Sequence, residues 1–187
     1  MNTTYIVIAV VLVLVVVGLI LAQIFAQRNR SARLHDQFGP EYEHTVQTLG
    51  DEKKAQTELE ERQRHVKALD IHPLTVSEGE RYQANWAEVQ SKFVDEPGQA
   101  ILDADRLIME VMHMRAYPVS DFDQRAADLS VTHPGFVSNY RAAREVAVKN
   151  ELQQANTEDL RQAMLYYRSL FEELLETEPV VVLEEQR

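Results

Sequence analysis

The chain contains no cysteine, and its 187 residues include only six glycines, six prolines and one tryptophan. Without a thiol there is no disulfide framework, no cysteine nucleophile, no iron–sulfur cluster and no thiolate zinc site. Positive charge is also scarce, because 19 Lys and Arg stand against 30 Asp and Glu and give a formal net charge of −11. Nucleic-acid binding needs clustered basic side chains, so this acidic composition argues against a nucleic-acid partner.

The sequence also lacks the motifs that usually carry catalysis or cofactor binding. It contains no Gly-x-Ser-x-Gly nucleophile elbow, no Walker loop and no Gly-x-Gly-x-x-Gly turn. The six histidines show no metal-ligand spacing. We therefore predict a protein that is not an enzyme, with no catalytic residue, no metal ligand and no cofactor.

Two Glu-x-x-His pairs have the spacing that di-iron helical bundles use. They are Glu41 with His44 and Glu110 with His113. Helical periodicity places the second pair opposite the apolar stripe of its helix, and the first pair lies outside the bundle pattern. We expect both pairs on the solvated surface.

One long hydrophobic run interrupts the polar composition. Residues 6–22 are 17 consecutive apolar positions, 14 of them Ile, Leu or Val, and Tyr5 and Phe25 extend the run to 21 residues. At about 1.5 Å per residue, a helix over residues 5–25 is about 31 Å long, which matches a hydrocarbon core of about 30 Å. No basic residue precedes the run, unlike in a secretory signal peptide, so we predict an uncleaved transmembrane helix.

Basic residues follow the predicted span directly. Three arginines lie within residues 28–33, and the first acidic residue is Asp36. The positive-inside rule then places residues 1–4 outside and the carboxyl-terminal domain in the cytoplasm. The predicted membrane-anchoring residues are Tyr5, Phe25, Arg28, Arg30 and Arg33.

Small residues recur on one face of the predicted span. Gly18, Ala22 and Ala26 lie four residues apart, which brings them onto one side of a helix. Small residues at this spacing let two membrane helices approach closely. The stripe is a candidate surface for weak homo-oligomerisation.

Helical spacing dominates the rest of the chain and predicts an all-α fold. We predict a basic juxtamembrane linker over residues 26–40, a charged helix over residues 41–70 that Gly50 kinks or splits, and a bundle of four to five helices over residues 71–177. Residues 178–187 are predicted to be a flexible acidic tail.

Breaks and caps divide the predicted bundle. Breaks are predicted at His72-Pro73 and Tyr117-Pro118, and helices are predicted to begin near Pro97 and after His133-Pro134. Ser77, Ser120 and Thr157 are the predicted N-caps. The predicted inward-facing residues are Tyr82, Trp86, Val89, Phe93, Ile101, Ala104, Ile108, Val111, Met112, Phe122, Ala126, Leu129, Phe136, Tyr140, Ala143, Ala147, Leu160, Met164, Tyr167, Phe171 and Leu174.

The segment over residues 117–134 mixes Pro, Asp, Arg and aromatic residues where the helices need only a turn. Asp121 and Asp123 begin like a calcium loop, but Arg125 and Ala126 stand where an EF-hand needs an oxygen ligand and a glycine. Two interpretations compete: a packed joint in which Arg125 bridges nearby aspartates, or a surface that a partner recognises. The apolar residues of this segment favour the joint. The candidate partner surface comprises Asp121, Asp123, Arg125 and Asp128.

Four stretches of the chain carry a family resemblance. They are Phe38-Gly-Pro-Glu-Tyr42, residues 81–93, the run Tyr117-Pro-Val-Ser-Asp-Phe-Asp-Gln-Arg-Ala-Ala-Asp-Leu-Ser-Val-Thr-His-Pro134, and residues 157–176. They resemble an uncharacterised family of small, single-pass, membrane-anchored bacterial proteins, largely actinobacterial. The resemblance covers most of residues 34–176 and implies a place in the bacterial inner membrane. It brings no activity, cofactor or catalytic residue.

Three classes of function are compatible with these patterns. The first is a non-enzymatic scaffolding or protein-interaction module, held at the membrane by a single-pass anchor. The alternative is a sensor whose small ligand enters a closed apolar cavity lined by Trp86, Tyr140 and Tyr167. The third is an enzyme that uses carboxylates, histidine and a metal. The missing catalytic motifs favour the interaction module.

Overall fold

A computed structural model of the protein describes residues 2–118 and 120–175, and the side chains of residues 2–11 and 13 lie outside that description. Eight α-helices and one short 3-10 helix run through the described residues. No β-strand occurs among them, so the predicted all-α fold is confirmed. The chain divides into two compact units, Met1–Glu60 and Glu61–Arg187.

Unit 1 contains α1 (Asn2–Phe38), α2 (Pro40–Leu49) and the first part of α3 (Glu52–Lys67). Most of the basic linker predicted over residues 26–40 is helical, because α1 continues to Phe38. The helix ends only at Gly39, whose φ of 51° is left-handed, and Pro40 then begins α2.

Gly50 separates α2 from α3, as its position predicts. Its φ of 65° is left-handed, and its N–H donates to the carbonyl of Val46 at 2.9 Å. A residue with a Cβ is strained in this conformation, so glycine is the natural stop for α2.

No helix in the described part of the chain is both long and apolar enough to cross a membrane. The transmembrane helix predicted over residues 5–25 is not confirmed, and the side chains of residues 5–11 and 13 lie outside the description. The acidic tail predicted over residues 178–187 also lies outside the described residues.

Unit 2 contains the end of α3, α4 (Val76–Lys92), α5 (Pro97–Met114), α6 (Phe122–Thr132), a 3-10 helix (Pro134–Phe136), α7 (Val137–Glu151) and α8 (Thr157–Leu174). Helix α5 lies at the centre, since it packs against α4, α7 and α8, and α7 packs along α8. The helices therefore form a bundle around one hydrophobic core.

The apolar stripes predicted from helical spacing form this core. Of the predicted inward-facing residues, Phe93, Phe122 and Phe136 are half-buried and all the others are buried. Trp86 of α4 stacks on Phe171 of α8 with ring centroids 4.7 Å apart. The recurrence of apolar residues at three and four positions was therefore sufficient to find the buried face of each helix.

The N-caps differ from the prediction by one or two residues. The observed caps are Thr75, Asp121 and Asn156, where Ser77, Ser120 and Thr157 are predicted. At two of these ends an acid three residues after the cap closes a reciprocal capping box, as Glu78 does with Thr75. Several cap-forming residues adjoin each observed cap, and the predicted cap Ser77 also has an acid, Glu80, three residues after it, so the sequence alone does not select among them.

Candidate functional site

The four residues of the candidate partner surface lie at the start of α6 or within it, but their side chains have different environments. Asp121 is the N-cap of α6, and its Oδ1 accepts the Gln124 N–H at 2.9 Å. Asp123 is exposed in the first turn of α6. Asp128 is buried, with only 1% of the residue exposed. A partner that touches the surface therefore meets Asp123 but not Asp128.

Arg125 has a packing role within the joint. Its Nη1 donates to the carbonyl oxygen of Ser120, and its Nε donates to the Tyr140 hydroxyl at 3.4 Å. The predicted bridge from Arg125 to an aspartate is wrong, because these two oxygens are its partners in the described chain. The ring of Phe122 lies 5.0 Å from that of Tyr140. The segment therefore packs as a joint against α7.

Asp128 is a carboxylate held in an unfavourable environment. Gln124 donates to its Oδ1 at 2.8 Å and His65 Nε2 lies 3.5 Å from the same oxygen, while Oδ2 has no hydrogen-bond partner in the described structure. Burial raises the pKa of Asp128 above its usual 3.8, and the hydrogen bond from Gln124, together with the electrostatic effect of His65 and Arg62, offsets only part of that rise.

We expect Asp128→Asn to stabilise the protein at neutral pH. A raised pKa means that the folded state binds the proton more tightly than the unfolded state, so ionised Asp128 weakens folding as the pH rises above 3.8. The amide removes that penalty, and its benefit shrinks as the pH falls towards 3.8. Urea unfolding of the full chain in detergent, followed by the fluorescence of the single Trp86, measures both effects. A less stable amide variant at pH 7 would mean that the pairing with His65 dominates.

A second buried carboxylate is fully partnered. Asp105 of α5 is 4% exposed, accepts the Tyr167 hydroxyl at 2.9 Å and pairs with Arg144 Nη1 at 2.9 Å. Burial and the negative charge of Asp105 together raise the pKa of Tyr167 far above its usual value. This cluster joins α5, α7 and α8 and has a structural role.

The aromatic residues predicted to line a ligand cavity are packed against neighbouring rings. Trp86 stacks on Phe171, and the rings of Tyr140 and Tyr167 meet edge to face with centroids 6.5 Å apart. All three predicted lining residues are at most 5% exposed. These side chains fill the bundle interior, where the sensor hypothesis places a ligand.

The two Glu-x-x-His pairs differ in burial. Glu110 and His113 are exposed, as predicted. The expectation for Glu41 is wrong, because this residue is 4% exposed, with its Oε1 3.8 Å from His44 Nδ1. Among the described residues no group of three or more His, Asp or Glu is arranged to hold a metal ion.

Unit 2 carries an open apolar pocket of about 290 Å³ beside the joint. Its apolar lining comes from Met109, Met112 and Pro118, and the polar part of the lining comes from Arg106, Glu110, His113 and Arg125. Arg125 is the one member of the candidate partner surface that reaches it. Sequence analysis missed this pocket, since Met109 lies at the edge of the apolar stripe of α5.

Unit 1 carries a larger open groove of about 740 Å³ along α1, α2 and the start of α3. Inside it the Ser31 hydroxyl lies 2.8 Å from the Tyr42 hydroxyl, and both contact Glu52 Oε1 at 3.0 Å. Arg28 lines the same groove. The groove therefore combines a cation, hydroxyl groups and two carboxylates, of which Glu43 lies 3.7 Å from His35 Nε2 and Glu52 contacts the hydroxyl groups.

The predicted anchoring residues have different environments. Phe25 is 68% exposed, and Tyr5 belongs to the residues whose side chains lie outside the description. Arg30 makes a bidentate pair with Glu60 at 2.8 and 2.7 Å, and Arg33 reaches the same carboxylate at 3.4 Å. Glu60 therefore neutralises part of the basic cluster that follows the apolar run.

The stripe of small residues lies on one side of α1. Gly18, Ala22 and Ala26 are exposed, and a Cβ added at Gly18 meets no atom within 4 Å. Self-association through this face stays a prediction.

Comparison of the chain with known protein families, with curated proteins and with solved structures finds no match. The resemblance of residues 34–176 to an actinobacterial membrane-anchored family stays a prediction.

Proposed function

We propose that the protein is a membrane-anchored, non-enzymatic docking module. In this proposal α1 holds it at the bacterial inner membrane, and unit 2 binds one protein partner on the cytoplasmic side. The partner inserts an apolar side chain, flanked by an acidic residue, into the pocket formed by Met109, Met112 and Pro118.

The pocket of unit 2 is the observation that carries the docking proposal. It is open and apolar, while the aromatic rings in the core of the unit pack against one another. Methionine side chains are flexible and polarisable, so they adapt their shape to an inserted side chain. The lining contains two arginines, Arg106 and Arg125, against one acidic residue, Glu110, and this positive charge next to apolar surface suits a partner with an acidic flank.

The composition of α1 supports the membrane anchor. The described apolar side chains from Leu14 to Phe25 are exposed around the whole circumference of the helix. A helix that is apolar on all sides, rather than along one stripe, is typical of burial in lipid. The length of the sequence run, about 31 Å, suits one crossing.

A charge placed inside the pocket should abolish docking. We expect Met109→Glu to lose the partner, because a carboxylate there is costly to bury and repels an acidic flank. The matched control is Val94→Glu, the same kind of change at a side chain that is 82% exposed and lies before the start of α5. The measurement is in-cell crosslinking of the tagged full-length chain, followed by membrane purification and mass spectrometry.

The comparison of the two variants decides the result. A protein that crosslinks to the wild type and to Val94→Glu, but not to Met109→Glu, supports docking in the pocket. Equal crosslinking to all three forms would place the interaction elsewhere and overturn the proposed pocket. A wild type that crosslinks only to itself would instead favour the sensor hypothesis, which thermal shift with small molecules then tests.

A further inference from the structure

We propose that the groove of unit 1 binds a phosphoethanolamine group, the zwitterionic headgroup of a phospholipid. Arg28 would bind the phosphate, and Glu52 would accept hydrogen bonds from the ammonium. The proposal rests on the membrane anchor proposed above, since that anchor brings the groove to the level of the headgroups.

One face of α1 lines the groove with side chains whose polarity changes along the helix. Ile24, Arg28, Ser31 and His35 recur at spacings of four, three and four and all line it. The order along the helix is apolar, cationic and then hydroxyl-bearing, moving away from the apolar run. A phospholipid presents its groups in the same order, because its acyl chains are followed by the phosphate and then by the amine.

Arg28 is the cation of the basic cluster that is available to a ligand. Arg30 and Arg33 both pair with Glu60. Arg28 makes no ion pair or hydrogen bond within residues 2–118 and 120–175, although it lines the groove. A guanidinium whose N–H groups are not used by the protein can bind a phosphate with two parallel hydrogen bonds.

Glu52 supplies a negative charge where the ammonium group of the headgroup would lie. Ser31, Tyr42 and Gln56 all contact its Oε1, at 3.0 to 3.1 Å. No described hydrogen bond involves Oε2 of Glu52, so this oxygen can accept a hydrogen bond from an ammonium group. Ser31 lies three residues beyond Arg28, about 4.5 Å further along α1, so the carboxylate that it contacts stands beyond the cation. This order favours an amine-bearing headgroup over a purely anionic one.

The experiment titrates the purified full-length protein in detergent with three lipids of identical acyl chains, and native mass spectrometry counts the lipid adducts. The lipids are phosphatidylethanolamine, phosphatidylcholine and phosphatidylglycerol. We expect the ethanolamine lipid to bind most tightly. Arg28→Gln should weaken its binding about tenfold, which is the loss of one charge-assisted interaction. Glu52→Gln should weaken the ethanolamine lipid but not the glycerol lipid, which has no amine.

Arg33→Gln is the matched control, because it removes an equal charge from the same helix at a side chain that does not line the groove. It should leave the adducts unchanged. Equal binding of all three lipids, or equal losses in Arg28→Gln and Arg33→Gln, would overturn the proposal. Circular dichroism of each variant shows whether the helices are intact, and Glu52→Gln keeps the shape of the replaced side chain.

Free phosphoethanolamine separates the two sources of this headgroup. If free phosphoethanolamine displaces the lipid and binds as tightly as the lipid does, the ligand is the soluble compound. If the lipid binds and the free compound does not displace it, the ligand is the membrane lipid. Flotation with phosphatidylcholine vesicles tests the anchor by itself. A protein that floats without an ethanolamine preference would remove this inference and leave the proposed anchor standing. A protein that fails to float would remove the anchor.

Discussion

Trp86→Ala is expected to destabilise unit 2 by about 4 kcal/mol, within the range of large-to-small aromatic substitutions in a core. Trp86 is 5% exposed and stacks on Phe171 at 4.7 Å, so its removal opens a cavity between α4 and α8. The melting temperature of the full chain in detergent should fall on the order of 10 °C. Circular dichroism at 222 nm measures it, since the variant has no tryptophan.

Trp86→Phe is the control for this result. It keeps an aromatic ring over Phe171 and leaves a smaller cavity, so we expect a markedly smaller loss of stability. Similar melting temperatures for the alanine and phenylalanine variants would show that the stacked arrangement contributes little.

Asp105→Ala should have the next largest effect, about 3 kcal/mol. The substitution leaves the buried Tyr167 hydroxyl without its acceptor, and it leaves Arg144 without the carboxylate that it contacts at 2.9 Å. The cost comes mainly from these stranded partners rather than from the lost bonds themselves. Urea unfolding of the full chain, followed by Trp86 fluorescence, gives the change in the free energy of unfolding.

Asp103→Ala is the matched control on the same helix. Asp103 pairs with Lys92 at 2.6 Å and with Arg106 at 3.4 Å, but the side chains of those two partners are 41% and 63% exposed. Ion pairs open to solvent contribute at most about 1 kcal/mol. Equal losses in the two alanine variants would show that the buried cluster around Asp105 does not hold the helices together.

Helical periodicity predicted the core because apolar burial follows from the position of a residue on its own helix. The stripe on α8 from Leu160 to Leu174 is buried as predicted, and the tryptophan of α4 packs against it. The break at Gly50 was also predictable, since the left-handed conformation that ends α2 favours glycine. Both features depend on local chemistry that a sequence displays directly.

The burial of charged residues was not predictable in the same way. Glu41 and Asp128 were predicted on the surface and no sequence pattern singled out Asp105, yet each of the three is at most 4% exposed. Their environments depend on residues brought from distant parts of the chain, as Arg144 is brought to Asp105 across 39 positions. Periodicity contains no information about such partners.

The candidate sites follow the same division. The sequence predicted Arg28 as a juxtamembrane cation, but it did not show that Glu60 pairs with Arg30 and Arg33 or that Arg28 lines a groove. It placed Arg125 in a joint or on a partner surface, and the structure adds that this side chain also borders an apolar pocket. Each site depends on the meeting of separate helices.

Because α1 is one uninterrupted helix, its apolar end and its other end cannot rotate independently about the helix axis. From Asn2 to Phe38 the helix has no hinge, so a turn of its apolar end about the long axis turns Leu34 and Phe38 by the same angle. Both of these side chains are fully buried in the protein, so such a turn strains their packing. A residue inserted before Arg28 would shift the phase by about 100°, whereas seven inserted residues nearly restore it. The number of residues in α1 between its apolar end and Arg28 therefore sets the direction in which the groove faces relative to the apolar end.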